Sequence, residues 1–274
     1  MPLALVTGPT AGIGRAFAER LARDGHDLVL VSRSPDTLEK TAGELRTAHQ
    51  IHVETLPADL STVSGCHLVE DRLITGQPVD LLVNNAGTSL PRPFLHNGVD
   101  AEEHLLDLNV RAVLRLTHAA LPGMLARRYG RIVNVSSFTA LGPGGLSTAY
   151  PASKAWALSF TEALARSAQL RSGRVHMMAV LPGFTRTELF DRSGFDIAHL
   201  PRWIWLTSEQ VVAKALRDLE RRRVVSIPSL RYKAASWALR YLPRPLLRPT
   251  SWDFSAPNGF WGPPSPEREY DAAV

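Results

Sequence analysis

Cysteine is almost missing from the 274 residues. Cys66 stands alone, in a helical stretch where it reads as a packing residue. A single cysteine excludes an intramolecular disulfide framework and points to a reducing compartment. No uninterrupted apolar run approaches the roughly 20 residues that span a bilayer, so no transmembrane helix is predicted. The nine histidines form no ligand-like cluster, and no metal site is expected. Residues 1–8 run straight into a strand-like segment and leave no room for a secretory leader; a cytoplasmic protein is the expectation. Acidic residues are scarce in one stretch only. Residues 202–248 hold 11 Lys/Arg against 3 Asp/Glu, a net of +8, while the remainder holds 20 basic and 23 acidic residues, a net of −3. The formal charge of +5 therefore belongs to the C-terminal fifth. No recognised nucleic-acid module accompanies it, so a nucleic-acid partner is not expected.

What is present is the composition of a globular protein long enough to bury a full core. Short aliphatic runs at 3–7, 28–32, 52–56, 81–84, 131–136, 175–181 and 224–227 alternate with amphipathic stretches at 15–23, 36–48, 102–127, 148–170 and 208–222. Most of the short runs are continuously apolar, as in parallel strands covered on both faces. The alternation predicts an α/β fold: a Rossmann-type, doubly wound, mostly parallel sheet of seven strands flanked by helices. Residues 1–228 read as one dinucleotide-binding and catalytic domain, 229–248 as a basic amphipathic helix and 249–274 as a Pro/Trp-rich tail. Of 20 prolines, 7 fall between 243 and 266.

The first strand ends in Thr7-Gly8-Pro9-Thr10-Ala11-Gly12-Ile13-Gly14, with a helix following. Glycines there let the chain turn tightly and bring backbone N–H groups up to a pyrophosphate, aided by the helix N-terminus. The tip of the second strand selects between nicotinamides. An NAD site places a carboxylate there for the ribose 2′-hydroxyl; this chain has Ser32-Arg33, which suits a 2′-phosphate. NADP(H) is the preferred reading, with NAD(H) left open; the lesser alternative is that Arg33 simply begins a solvated loop. Asp36, the nearest carboxylate, follows Pro35 at a helix start, where capping explains it.

Tyr150 and Lys154 are four residues apart, so on a helix the phenol and the ammonium share a face. A nearby cation would stabilise a phenolate and make proton transfer to or from a carbonyl oxygen practical. Ser137 lies thirteen residues upstream at the carboxyl end of a predicted strand, where α/β sheets bind ligands. Its hydroxyl could bond a substrate oxygen.

With these residues in place, the sequence resembles the short-chain dehydrogenase/reductase family. It carries TGxxxGIG (7–14), an Asp59-Leu60 pair, NNAG (84–87), Asn109 in a long helix, Ser137, YxxxK, and Pro182-Gly183 followed by Thr185 and Thr187, in the family's order over about residues 3–230. The resemblance implies that Tyr150 is the general acid/base, that Lys154 lowers its pKa and holds the nicotinamide ribose, that Ser137 polarises the carbonyl and that Asn109 holds a water of a proton relay. It further implies cofactor contacts from Gly8, Thr10, Gly12, Ile13, Gly14, Ser32, Arg33, Asp59, Leu60, Asn85, Ala86, Gly87, Pro182, Gly183, Phe184, Thr185 and Thr187. Asn84 would brace the sheet and Thr7 would tie the first turn to its neighbours. Arg15 reads equally as a phosphate ligand or a solvated helix residue.

After Pro182-Gly183 the family places a variable lid. Here Phe184, Phe190, Trp203 and Trp205 predict a lipophilic pocket, unless they simply pack on the core. The expected function is NADPH-dependent reduction of a ketone or aldehyde of a small lipophilic substrate, in a homodimer or homotetramer. Alternatives are an NAD(P)+-dependent alcohol dehydrogenase of the same family and a cofactor-binding scaffold acting through its basic helix. Along 229–247, Leu230, Ala234, Trp237, Ala238, Tyr241 and Leu242 fall near one face among basic residues. That face suits an anionic membrane surface, the protein's own domain or a partner protomer.

Overall fold

The computed structural model describes residues 1–90, 92, 94–142, 148–187 and 202–241. Seven parallel strands form one sheet in the order β3-β2-β1-β4-β5-β6-β7. They are β1 (Leu3–Thr7), β2 (Asp27–Ser32), β3 (Val53–Pro57), β4 (Leu81–Asn84), β5 (Gly130–Val135), β6 (Val175–Val180) and β7 (Val225–Ser226). The chain winds outward from β1 to β3, then returns to pair β4 on the other side of β1. That reversal opens the crevice at the carboxyl ends of β1 and β4, where doubly wound sheets bind ligands.

The helices are α1 (Gly12–Arg23), α2 (Pro35–His49), α3 (Val63–Thr75), α4 (Val99–Leu106), α5 (Ala112–Ala126), α6 (Tyr150–Ala165), α7 (Ala168–Gly173), α8 (Ser208–Glu220) and α9 (Leu230–Tyr241). Alternate residues of each strand serve opposite layers. Ala4, Val6, Leu28 and Leu30 pack with Phe17 and Leu21 of α1, Leu38 of α2 and Val212 of α8. Leu3, Leu5, Val29 and Val31 pack with Val69 of α3 and Leu116 of α5. This two-sided burial explains why the strands read as unbroken apolar runs. Cys66 sits fully buried in the second layer, its thiol donating to the Leu60 carbonyl at 3.2 Å.

Local chemistry sets the helix ends. Pro35 occupies the first turn of α2, where its missing N–H is harmless. Thr62 accepts the Gly65 N–H at the start of α3 (3.0 Å), and Thr207 with Gln210 forms a capping box on α8. Two expected continuous helices are interrupted. The stretch 102–127 divides into α4, a π-helical turn over Asp107–Arg111 and α5. The stretch 148–170 ends at Ala165, and Ser167 then caps the separate α7 by accepting the Leu170 N–H.

The C-terminal helix spans Leu230–Tyr241, and its buried anchor is Tyr232 at 9% exposure, while Leu230 (82%) and Trp237 (62%) of the apolar stripe face away from the protein's own domain. The aromatic ring won the inward position because its hydroxyl finds backbone partners there. Residues 242–274, including Leu242 and the predicted tail, lie outside the described residues, as do the side chains of Arg240 and Tyr241. Among the described residues no helix is long and apolar enough to cross a membrane.

Candidate active site

A cleft of about 520 Å³ opens at the carboxyl ends of β1, β2, β4 and β5. Its floor at one end is the turn after β1. There Gly8 holds a φ of +65°, and a Cβ on Gly14 would lie 2.0 Å from the Gly8 carbonyl oxygen. Only glycine permits that approach, which leaves a cradle open to a ligand backbone. Thr7 accepts the N–H groups of Asn85 and Ala86 (both 2.9 Å) and donates to Val83 O (3.3 Å), binding the first turn to the end of β4. Asn85 spends its side-chain amide on Thr7 O and Gly8 O, at 2.9 and 3.1 Å. Asn84 bonds Asn134 across β4 and β5 (2.9 Å), and Asn134 continues to Thr161 of α6 (2.9 Å).

Ser32 and Arg33 line the same cleft at the tip of β2, and Arg33 is exposed. Among the described residues no carboxylate forms an ion pair with Arg33. Arg15, by contrast, is taken by Glu19 and Glu44, both at 2.7 Å. Leu60 lines the wall, but Asp59 does not. Burial would raise the Asp59 pKa, yet two bonds from Ser61 and the charges of Arg33 and His104 hold it below its ordinary value.

The other end of the cleft holds Ser137, Tyr150 and Lys154. Pro151 sits just inside α6, and Tyr150 opens the helix with Lys154 one turn on, so both project from its first turns toward the end of β5. Tyr150 is 8% exposed and lines the cleft with Ser137. Burial raises the Tyr150 pKa, and the Ser137 hydroxyl only partly opposes this. The Lys154 ammonium lies 5.7 Å from the Tyr150 ring centroid and donates to Val135 O at 3.0 Å. Desolvation lowers its own pKa to about 8.

Asn109 sits in the π-helical turn, 1% exposed. Its amide donates to Thr88 O (2.9 Å) and Ser153 Oγ (3.1 Å), and its oxygen accepts the Thr88 N–H (2.9 Å). A Cβ on Gly87 would meet Asn109 Oδ1 at 3.0 Å and Lys154 Nζ at 3.2 Å, so the two side chains converge on that glycine. Of the remaining expected positions, Thr10, Gly12, Ile13, Ala86, Pro182, Gly183, Thr185 and Thr187 line the cleft. Phe184, Trp203 and Trp205 do not. Phe184 packs on Trp205 (5.8 Å between centroids), and Trp203 is 62% exposed beneath the Arg231 guanidinium. Phe190 lies outside the described residues.

Two further residues of the region have no local signal in the sequence. Glu102 is 5% exposed and accepts the Ala149 N–H (2.9 Å) just before Tyr150, and the Asn97 amide (2.8 Å). Tyr232 reaches the cofactor-side turn from α9. Their partners are 47 and 48 residues away in the chain, beyond any periodicity. Among the described residues, no three His, Cys, Asp or Glu side chains gather as metal ligands.

A family model described as short chain dehydrogenase matches residues 2–196. The very-long-chain 3-oxoacyl-CoA reductase of Homo sapiens is 34% identical over 196 residues, covering 68% of this chain and 60% of the relative. Among solved structures, the short-chain dehydrogenase from Sphingobium yanoikuyae in complex with NADPH matches with TM-score 0.81 and 35% identity, covering 90% of this chain and 96% of that one. The bulky-bulky ketone specific alcohol dehydrogenase from Comamonas testosteroni matches with TM-score 0.77 and 31% identity, over 89% and 99% of the two chains. The chain spans about half to three-fifths of the length of the curated relatives it matches.

Proposed function

The chain belongs to the short-chain dehydrogenase family, and from that premise we propose that it is an NADPH-dependent reductase of a lipophilic ketone or aldehyde. The observation that carries the reading is the make-up of one cleft. A phenol, a serine hydroxyl and a buried lysine close one end, and a glycine cradle with Arg33 closes the other. When bound, the nicotinamide supplies a hydride to the carbonyl carbon. Tyr150, a phenol protonated at neutral pH, would hold the proton for the carbonyl oxygen. The C=O bond then becomes CH–OH with one hydride and one proton added. Ser137 would bond the same oxygen and stabilise charge developing on it. Lys154 and Asn109, converging on Gly87, would replenish the proton at Tyr150 and hold the ribose.

Ser32 and Arg33 support NADPH over NADH, because a guanidinium can pair with a 2′-phosphate and no carboxylate stands at the strand tip. The NADPH in the Sphingobium structure is consistent with this choice. The names of the human and Comamonas proteins point to bulky or acyl-thioester ketones as the substrates to try first. The test is NADPH oxidation across a panel of 3-oxoacyl thioesters, steroid ketones and aryl ketones. The wild type should turn over at least one class, and Tyr150→Phe should lose about 10²–10⁴-fold while still binding NADPH. No turnover by the wild type with any carbonyl, or equal turnover by Tyr150→Phe, overturns the proposal.

The reading includes a cytoplasmic homodimer or homotetramer that touches membrane surfaces. Residues 221–241 carry six Lys/Arg and no Asp/Glu, and Leu230 is exposed among them, which suits anionic lipid. Flotation with anionic against zwitterionic vesicles checks the contact, and sedimentation velocity checks the assembly.

A further inference from the structure

The C-terminal helix reaches the reaction chemistry through one side chain. Tyr232 lies on α9, 9% exposed, and its ring meets Phe138 edge to face with centroids 5.0 Å apart. Its hydroxyl accepts the Phe184 N–H at 2.9 Å and donates to Ile204 O at 3.1 Å. Burial pushes its pKa up to about 12, so the hydroxyl remains a donor throughout the working range. The ring also lies against Gly183: a Cβ there would sit 2.0 Å from the ring. Phe138 in turn donates its N–H to Pro182 O at 2.9 Å. It is the residue after Ser137, which lines the cleft with Tyr150.

We propose that Tyr232 is a positioning residue for the reaction: it fixes the 182–184 turn against the Ser137 turn, and so sets the wall of the cleft beside Tyr150. Pro182 and Gly183 line the cleft at this end, and one backbone bond, from Phe138 N–H to Pro182 O, joins the two turns directly; the Tyr232 ring and hydroxyl add the side-chain contacts that hold Gly183 and Phe184 to it. To the backbone bonds of Pro182 O with Phe138 N–H and of Phe184 O with Leu206 N–H, α9 adds one side chain. Phe184 N–H and Ile204 C=O both end on the one phenol oxygen. Gly183 owes its identity to the ring that lies on it, since its φ is not in the left-handed region. The basic C-terminal segment is therefore a structural part of the site, joined to it through Tyr232.

This inference rests on the reading of the cleft as an NADPH site, and two ligands separate the two ideas. NADPH occupies both ends of the cleft; adenosine 2′,5′-bisphosphate carries only the adenine-side half. Tyr232→Phe keeps the ring and removes both hydrogen bonds. It should weaken NADPH about tenfold, the scale of one stranded hydrogen bond, while adenosine 2′,5′-bisphosphate binds as to the wild type. Gly183→Ala should weaken NADPH as well, and Tyr232→Ala should relieve part of that loss in the double variant, because the clash is with the ring. Arg231→Ala, an exposed neighbour, serves as the unaffected control. A general loss of fold would weaken both ligands and lower the melting temperature. Equal NADPH affinity in wild type and Tyr232→Phe, or parallel loss of both ligands, overturns the positioning role. Failure of the wild type to bind either ligand overturns the cofactor reading instead.

Discussion

Lys154 should destabilise the protein it serves. Its side chain is 6% exposed, and desolvation lowers the ammonium pKa from 10.5 to about 8. Holding the charge in that environment at neutral pH costs roughly 3 kcal/mol relative to the unfolded chain. The variant Lys154→Met keeps the length and apolar stem but leaves Val135 O without its donor, a loss of about 1–2 kcal/mol. The net expectation at pH 7 is a gain of about 1–2 kcal/mol, or roughly 2–8 °C in melting temperature, together with loss of turnover. The pH dependence provides the sharper signature. Below the folded value of about 8 both folded and unfolded chains hold the proton, so the penalty is full and constant. Between there and 10.5 the unfolded chain binds more protons, and the wild type gains stability as pH rises. Above that window the penalty is gone and the Val135 bond remains, so the wild type should become the more stable of the two. Urea unfolding of both cofactor-free proteins from pH 7 to 10.5 measures the crossing. A variant less stable at pH 7, with a gap that does not change across the series, would refute the reasoning.

Three other substitutions test separate parts of the fold and site. Arg33→Ala should weaken NADPH about 10–100-fold in calorimetric titration and leave NADH nearly unchanged, the effect of losing one charge-assisted contact. Gly14→Ala would place a Cβ 2.0 Å from Gly8 O and 2.3 Å from Asn85 Nδ2, so it should abolish NADPH binding and cost about 2 kcal/mol or more in urea unfolding. Asp218 is fully buried, where Ser226 Oγ donates at 2.8 Å and Lys214 and Arg223 add charge. Burial opposes ionisation there, but those bonds and cations hold its pKa below 3.8, so its stabilisation is full above that value and lost as pH falls through the lowered one. Asp218→Asn should cost about 3 kcal/mol at pH 7 and flatten the acid limb of the stability profile.

How much of this was legible depended on whether the controlling contacts are local. The five strands β1 to β5 begin and end within a residue of their apolar runs, because two-sided burial writes itself into composition. The glycine turn and the Tyr150–Lys154 pair were legible for the same reason: φ preference and helical spacing act over a few residues. The π-helical turn at Asp107–Arg111 was not, since one extra residue per turn barely disturbs an apolar pattern over 102–127. The Leu230 and Trp237 stripe is visible in the sequence, whereas the residue that anchors α9 to the fold is a phenol between two basic residues. Periodicity ranks side chains by hydrophobicity. It has no means of weighing two distant backbone partners for one hydroxyl. The burial that raises the Tyr150 pKa is invisible for a related reason: the neighbouring cation stands in the sequence, but desolvation is tertiary.

The charge distribution carries the same distinction one step further. The C-terminal fifth holds the surplus, with a net of +8 over residues 202–248, yet several of its cations already have work within the fold. Lys214 and Arg223 compensate Asp218, and the Arg231 guanidinium lies 5.8 Å from the Trp203 ring centroid. In the body, which is net negative, Arg15 lies beside the glycine turn but is neutralised by Glu19 and Glu44. Arg33, exposed at the mouth of the cleft, and Lys154, charged at the expense of stability, are the two cations to which the proposed function assigns chemistry. A cation acts on a ligand to the extent that the protein has not already paired it, so function follows the unpaired and the desolvated charges, whatever the sign of the net total.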